Sequence, residues 1–237
     1  MRIALVADLH GNVPAVRAVE DDIKRRGVDK IWCLGDIVGK GPDSPDTMDW
    51  AVRNCEIVLR GNWDEGVGTL DGKDRDSSAA KWYRRQLGEE RVAKLASLPL
   101  EHRFVFCGKK ARLLHGRNTV PDIVYPDSPI EQRLQFFNVE DKPDIVGYAD
   151  IHRPFWIQIN DTGILFNTGS VGNPLGGNTL ANYAIIEGEI VSDTPICHSI
   201  ISVPYDRDEA IRRTIARADL PNGAAFVNEL TVARYSR

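Results

Sequence analysis

The chain opens on an unbroken apolar run, residues 3–7, that gives way to Asp8-Leu9-His10-Gly11-Asn12. A short continuous run bounded by polar residues and glycine predicts a strand buried on both faces. From Asn12 the period changes. Val16, Val19 and Ile23 fall on one helical face, Asn12 is a capping type and Gly27 a stop, so a helix to about Arg26 is predicted. Residues 30–34 read as the next strand. Ser44-Pro45 starts a helix carrying Met48, Trp50, Ala51 and Val52, and residues 56–59 give a third strand. Strands alternating with helices predict parallel βαβ units with right-handed crossovers.

The second half follows a different rhythm. Residues 76–97 are helical in pattern, interrupted at Gly88, with Trp82, Tyr83, Leu87, Val92 and Leu95 as apolar contacts. Residues 103–107 and 111–114, split by Gly108-Lys109-Lys110, read as a hairpin. Residues 129–137 read as a short helix. Strands are predicted at 144–147, 155–159, 164–167, 183–187 and 189–191, with turns at Asn160-Asp161 and Gly188. Asp206 with Glu209 resembles a capping box ahead of a helix over about 206–218. With no repeat, linker or charge block, the expectation is one α/β domain over 1–237. Its first half is parallel and its second more antiparallel.

Composition narrows the function classes. Lys and Arg number 30 against 34 Asp and Glu, a net charge of −4, which disfavours broad nucleic-acid binding through a basic surface. No stretch approaches the roughly 18–20 apolar residues of a membrane helix. The four cysteines, Cys33, Cys55, Cys107 and Cys197, form no CxxC and are expected as small buried hydrophobes. The N-terminus reads as a strand rather than a cleavable signal, so a reducing cytoplasm is the expected compartment.

The chemistry lies at the strand ends. The first three strands run into Asp8-Leu9-His10-Gly11-Asn12, Gly35-Asp36 and Gly61-Asn62-Trp63-Asp64. Later ones run into His115-Gly116 and Asp150-Ile151-His152. In an open α/β sheet the carboxyl ends of the strands line one crevice. Carboxylates, imidazoles and an amide gathered there would repel one another and lack partners unless cations joined them. A mixed oxygen and nitrogen set suits Mn, Fe, Zn or Ni better than Ca or a thiolate-bound metal. Each member alone is a weak signal. The adjacent glycines Gly11, Gly35, Gly61 and Gly116, suited to tight turns, make the set less accidental.

Asp-x-His, Gly-Asp, Gly-Asn-x-Asp and His-Gly, followed by Ala149-Asp150-Ile151-His152 in place of Gly-His-x-His, in this order over roughly residues 1–175, resemble the signature of calcineurin-like metallophosphoesterases. The small bacterial phosphodiesterase branch is the nearest in pattern. The segment Asn167-Thr168-Gly169-Ser170-Val171-Gly172-Asn173-Pro174 is similar to that branch's Asn-Pro-Gly-Ser motif, with Thr168 in place of Pro. The resemblance implies a four-layer α/β/β/α sandwich of two mixed β-sheets. It implies that Asp8, His10 and His152 hold one metal, that Asn62 and His115 hold a second, and that Asp36 bridges them. It further implies an attack on phosphorus by a hydroxide activated by both metals, with Asp36, Asn62 and His115 as the catalytic set.

Two positions depart from that pattern. Asp150 stands where a histidine normally completes the second metal site. Either it ligates, favouring an oxygen-preferring ion such as manganese, or it lies outside the ligand set. Trp63 stands where many relatives carry a histidine as general acid, and an indole cannot deliver that proton. It either stacks on a nucleobase or packs beneath a neighbouring loop. Arg117 and Arg153 are candidate phosphate-binding arginines, and each has a plain surface alternative. Lys40 and Asp43 either rim the site or are solvated. Cap elements are expected near 66–102 and 118–137. The resulting expectation is a metal-dependent phosphoesterase acting on phosphodiesters or phosphomonoesters of small phosphorylated or nucleotide-like molecules. The alternative is a non-catalytic or weakly active scaffold with an impaired second metal site.

Overall fold

The apolar run at the N-terminus forms β1 (Arg2–Val6), the middle strand of the first of two five-stranded sheets. The structure is a computed structural model and describes residues 1–69, 78–190 and 193–236. After β1 come α1 (Val13–Arg26), β2 (Lys30–Cys33), α2 (Ser44–Asn54), β3 (Ile57–Val58), α3 (Asn62–Gly68) and α4 (Ser78–Ser97). The second half holds β4 (Glu101–Phe106), β5 (Lys109–Leu114), α5 (Ile130–Leu134), β6 (Ile145–Tyr148), β7 (Phe155–Ile159) and β8 (Gly163–Asn167). β9 (Ala181–Glu187), β10 (Cys197–Val203), α6 (Arg207–Ala216) and α7 (Gly223–Val232) close the chain.

The first sheet has the order β10-β9-β1-β2-β3. β1, β2 and β3 are parallel, and β9 and β10 add antiparallel strands on the other side of β1. The second has the order β4-β5-β6-β8-β7, with β5, β6 and β8 parallel and antiparallel strands at both edges. Both sheets are mixed: the first three strands of the chain pair in parallel as expected, and the later strands pair mostly antiparallel, with β5–β6 and β6–β8 as parallel exceptions. β9 returns from far along the chain to pair with β1, a non-local choice that local pattern does not encode.

Alternation along β1 explains the layering. Ala4 and Val6 face the helices, packing with Val16, Val19 and Ile23 of α1 and Met48, Trp50 and Ala51 of α2. Ile3, Leu5 and Ala7 face the second sheet and meet Phe106, Leu113, Ile145 and Phe166. The outer face of the second sheet is covered by Val120, Val124, Phe136 and Phe137. The result is an α/β/β/α sandwich, and β1 reads as a continuous apolar run because both of its faces are buried.

Several local expectations shift. The predicted strand at 189–191 does not form at Glu189 and Ile190, and Val191 lies outside the described residues. The Glu189 carbonyl instead accepts the Cys107 N–H at 2.6 Å, tying the β4–β5 turn to the first sheet. The helix expected from residue 76 is described from Ser78. Gly88 breaks it with φ 76° and ψ 167°, as its composition suggested. α7 was not anticipated. Cys33, Cys55 and Cys107 are buried as expected, but Cys197 is exposed because β10 is an edge strand. Among the described residues no helix is long and apolar enough to cross a membrane.

Candidate metal centre

Asp8 and His10 follow β1, Asp36 follows β2, and Asn62 opens α3 just beyond β3. His115 follows β5, and Asp150 and His152 follow β6. Backbone hydrogen bonds lace these loops together. The Asp8 N–H donates to Gly35 O (2.9 Å), His10 N–H to Asp36 O (3.1 Å), and Ala149 N–H to His115 O (2.9 Å). Asp8 O receives Gly172 N–H (2.8 Å) and Ser170 Oγ (2.9 Å), so the loop after β8 is stitched to the end of β1. Gly35 and Gly61 meet backbone to backbone, where a Cβ on either would collide with the other loop. Asp8, His10, Asp36, Asp150 and His152 all carry positive φ, between 45° and 71°. Left-handed backbone at non-glycine residues costs on the order of 1 kcal/mol each and persists only where surroundings impose it.

Each imidazole is set by a carbonyl. His10 Nδ1 faces Val38 O at 3.2 Å, His115 Nδ1 faces Leu34 O at 2.8 Å, and His152 Nδ1 faces Asn173 O at 2.5 Å. Nδ1 must carry the proton in each bond, which leaves Nε2 of a neutral ring as a bare lone pair. Burial pushes His10 down to about 3 and His152 well below its usual range, so both rings are neutral. Their Nε2 atoms nevertheless face each other at 3.3 Å, two acceptors with no hydrogen between them. Asp8 stands beside them, fully buried, with Oδ1 3.9 Å from His10 Nε2 and 3.5 Å from His152 Nε2. Among the described residues neither Asp8 oxygen has a hydrogen-bond partner. Burial lifts its carboxyl well above the usual carboxylate range; His115 opposes this, while Asp36 and Asp150 add to it. Unpartnered buried acceptors converging on one point fit a cation.

A second group shares Asp8. Asp8, Asp36 and His115 also bring ligand atoms together. Asp36 turns Oδ2 toward His10 Nε2 (3.6 Å) and Oδ1 toward His115 Nε2 (3.4 Å), while Oδ1 accepts the Trp63 N–H (2.8 Å). Burial alone would raise Asp36, but His115 and His10 outweigh it and hold its carboxyl low. Burial would lower His115, yet Asp36, Asp8 and Asp150 lift it to about 10. The carboxylates thus draw positive charge to this spot. The amide end of Asn62 lies 3.2 Å from His115 Nε2, and its NH2 can face Asp150 Oδ1 at 3.1 Å.

Asp150 is buried beside this group, 3.9 Å from His115 Nε2, but its Oδ1 is engaged by Arg117 Nη2 at 2.9 Å. Arg117 is itself half exposed, so the pair reaches from the cluster to solvent. Trp63 is half-buried, edge-on to His10 (6.1 Å) and Tyr83 (6.0 Å), with Gly39 against its ring. Arg153 lies outside the cluster, exposed, with its guanidinium 5.8 Å from the Tyr125 ring. Lys40 and Asp43 are bound by the C-terminal helices: Lys40 Nζ to Glu229 Oε2 (2.8 Å) and Asp43 Oδ2 to Arg213 Nε (2.7 Å). Three further residues support the loops. Asp64 is fully buried and accepts N–H groups from Ile37, Val38 and Gly61, buckling the loop after β2 to the one after β3. Burial and Asp36 raise its carboxyl to about 7. Its place in Gly-Asn-x-Asp was visible in the sequence, its role was not. Asn173 lies in the segment that resembles the Asn-Pro-Gly-Ser motif but carries no assigned role in the sequence reading, and Glu229 has no sequence signal of its own.

The chain belongs to the calcineurin-like phosphoesterase superfamily, whose domain model matches residues 1–189. It is accordingly a metal-dependent phosphoesterase, a hydrolase of a family that binds divalent ions. An uncharacterized protein of Methanocaldococcus jannaschii is 31% identical over 234 residues, covering 90% of this chain and 91% of that one. The phosphodiesterase YfcE of Escherichia coli K12 is 24% identical over 202 residues, covering 81% of this chain and 90% of its own. A metallophosphoesterase from Sphaerobacter thermophilus superposes with a TM-score of 0.79 at 25% identity, covering 98% of this chain and 100% of that one.

Proposed function

We propose that this chain hydrolyses small phosphodiesters or phosphomonoesters, nucleotide-like molecules among them, using two divalent cations, with manganese favoured. The observation that carries the reading is the pair of opposed Nε2 lone pairs of His10 and His152 beside the unpartnered, buried Asp8 carboxylate. In this reading Asp8, His10 and His152 hold one ion, and His115, Asn62 and Asp150 surround the other. Asp36 offers one oxygen to each side. The chemistry supplied by the bound ions is an acidified water as nucleophile and positive charge for the phosphoryl oxygens. The protein's own part is to fix tautomers through Val38, Leu34 and Asn173, and to aim Asn62 and Arg117 at the phosphoryl group. Arg117 suits that task because Asp150 holds one edge of its guanidinium and leaves the rest open. Trp63 offers no titrating proton, so turnover should favour good leaving groups. Residues 118–137 and the stretch 66–102 are the proposed source of substrate choice, within a single domain.

The test is manganese-stimulated hydrolysis of bis-p-nitrophenyl phosphate and p-nitrophenyl phosphate by the purified protein. Asp36→Asn and His115→Ala should abolish it while leaving the circular dichroism spectrum intact. No metal-stimulated turnover of either ester would sink the reading. The Arg117–Asp150 pair favours one variant of it, a second ion held more weakly than the first. Metal stoichiometry at rising manganese separates one tight ion from two.

A further inference from the structure

We propose that Glu229 of α7, which lies past the end of the family match at residue 189, is a positioning residue for His152, acting through Asn173. The inference rests on the metal-site reading above. Glu229 is a carboxylate buried to 3% exposure, far along the chain from the strand-end motifs. Its Oε2 accepts Asn173 Nδ2 at 2.8 Å and Lys40 Nζ at 2.8 Å, and its Oε1 accepts the Ser236 N–H at 3.0 Å. Asn173 in turn presents its main-chain oxygen to His152 Nδ1 at 2.5 Å, the bond that fixes that ring's tautomer and leaves Nε2 bare. The Asn173 N–H is held by Ser170 Oγ (2.8 Å), which donates to Asp8 O (2.9 Å). Glu229 therefore grips the side-chain amide of Asn173, a residue that touches His152 directly and the Asp8 loop through Ser170.

Lys40 supplies the second half of the effect. It sits in the loop after Asp36 with φ 55°, and its charge bears on Asp8, His10 and His152. An unneutralised ammonium there would oppose a cation. Glu229 cancels it while locking Asn173. α7 thus bears on the site through Asn173 and Lys40.

The experiment is a manganese titration of metal-stripped protein, with free ion read by electron paramagnetic resonance. Glu229→Gln keeps the shape of the side chain and removes its charge. It should weaken binding by about tenfold to a hundredfold, the usual effect of losing a partner behind a ligand, with folding checked by circular dichroism. Asn173→Ala removes the gripped amide and leaves α7 intact, and it should reproduce the loss. In a His152→Ala background the part of the Glu229→Gln effect carried through Asn173 should vanish, leaving only the smaller loss caused by the unneutralised Lys40 charge near Asp8 and His10. Equal affinity of Glu229→Gln and wild type, or an undiminished effect in the His152→Ala background, overturns the inference. Absence of manganese binding by the wild type is a different result, and it removes the metal-site reading as well.

Discussion

Replacing Asp8 with asparagine should stabilise the metal-free protein and cancel its response to divalent ions. The Asp8 side chain is fully buried and, among the described residues, neither oxygen has a partner. Taking an ionised carboxylate out of water costs several kcal/mol even after relaxation. The folded protein avoids part of that by retaining the proton, which is what the raised carboxyl value expresses. An asparagine amide left unsatisfied costs about 1–3 kcal/mol, and asparagine tolerates left-handed backbone better than most residues. The net gain is about 2 kcal/mol, or about 4–8 °C in Tm for a chain of this length. Unfolded, the group titrates at about pH 3.9. The wild-type penalty is therefore absent below that value and grows as pH rises toward the folded one, so the gap between the two proteins should close in acid. The assay is thermal melting in EDTA at pH 7 and pH 4, repeated with manganese. At an ion concentration a hundredfold above Kd the wild type gains about 2.7 kcal/mol, the variant does not, and the order reverses. A variant that melts at or below wild type in EDTA at pH 7 would refute the idea that this carboxylate is held at a cost for binding a cation.

Three further outcomes are expected. Arg117→Ala should raise KM for bis-p-nitrophenyl phosphate about tenfold to a hundredfold, the worth of a hydrogen bond to a charged group, with Tm shifted by no more than about 3 °C because its guanidinium is half exposed; an unchanged KM returns it to the surface. Gly61→Ala should cost about 1–3 kcal/mol or more and lose manganese affinity together with stability, since its Cβ would collide with Asp36. Gly27→Ala, at a site with nothing within 4 Å, should cost about 1 kcal/mol of backbone strain and leave metal binding untouched.

The strand-end motifs were legible because a buried parallel strand leaves an apolar run and its loop leaves polar residues and glycine. β1, β2 and their loops could be read to within a residue or two. What escaped depended on distance. The pairing of β9 with β1 joins residues far apart in the chain, and nothing in either segment announces it. α3 begins at the candidate ligand Asn62 and spans too few turns to show a period. α7 starts from Asn222 in a left-handed conformation with no side-chain cap bond, so the usual start signal is missing. Asp150 was ambiguous in sequence because its environment hangs on whether the Arg117 side chain reaches it, and the structure shows the two in contact. Lys40 and Asp43 read from sequence as either rim or solvated residues, and α6 and α7 had to be folded over them before their partners appeared.

The candidate ligands come from both halves of the sandwich. Asp8, His10, Asp36 and Asn62 hang from the first sheet, and His115, Asp150 and His152 from the second. Mechanically, ions held here would act as rivets through the end of the seam between the sheets. The apolar interface of Ile3, Leu5, Leu113 and Phe166 runs behind them, and apolar contact is not directional. Prying the sheets apart at that end and stripping the ions would then be one event seen from two sides. The stiffness of the sandwich and the occupancy of the site would rise and fall together.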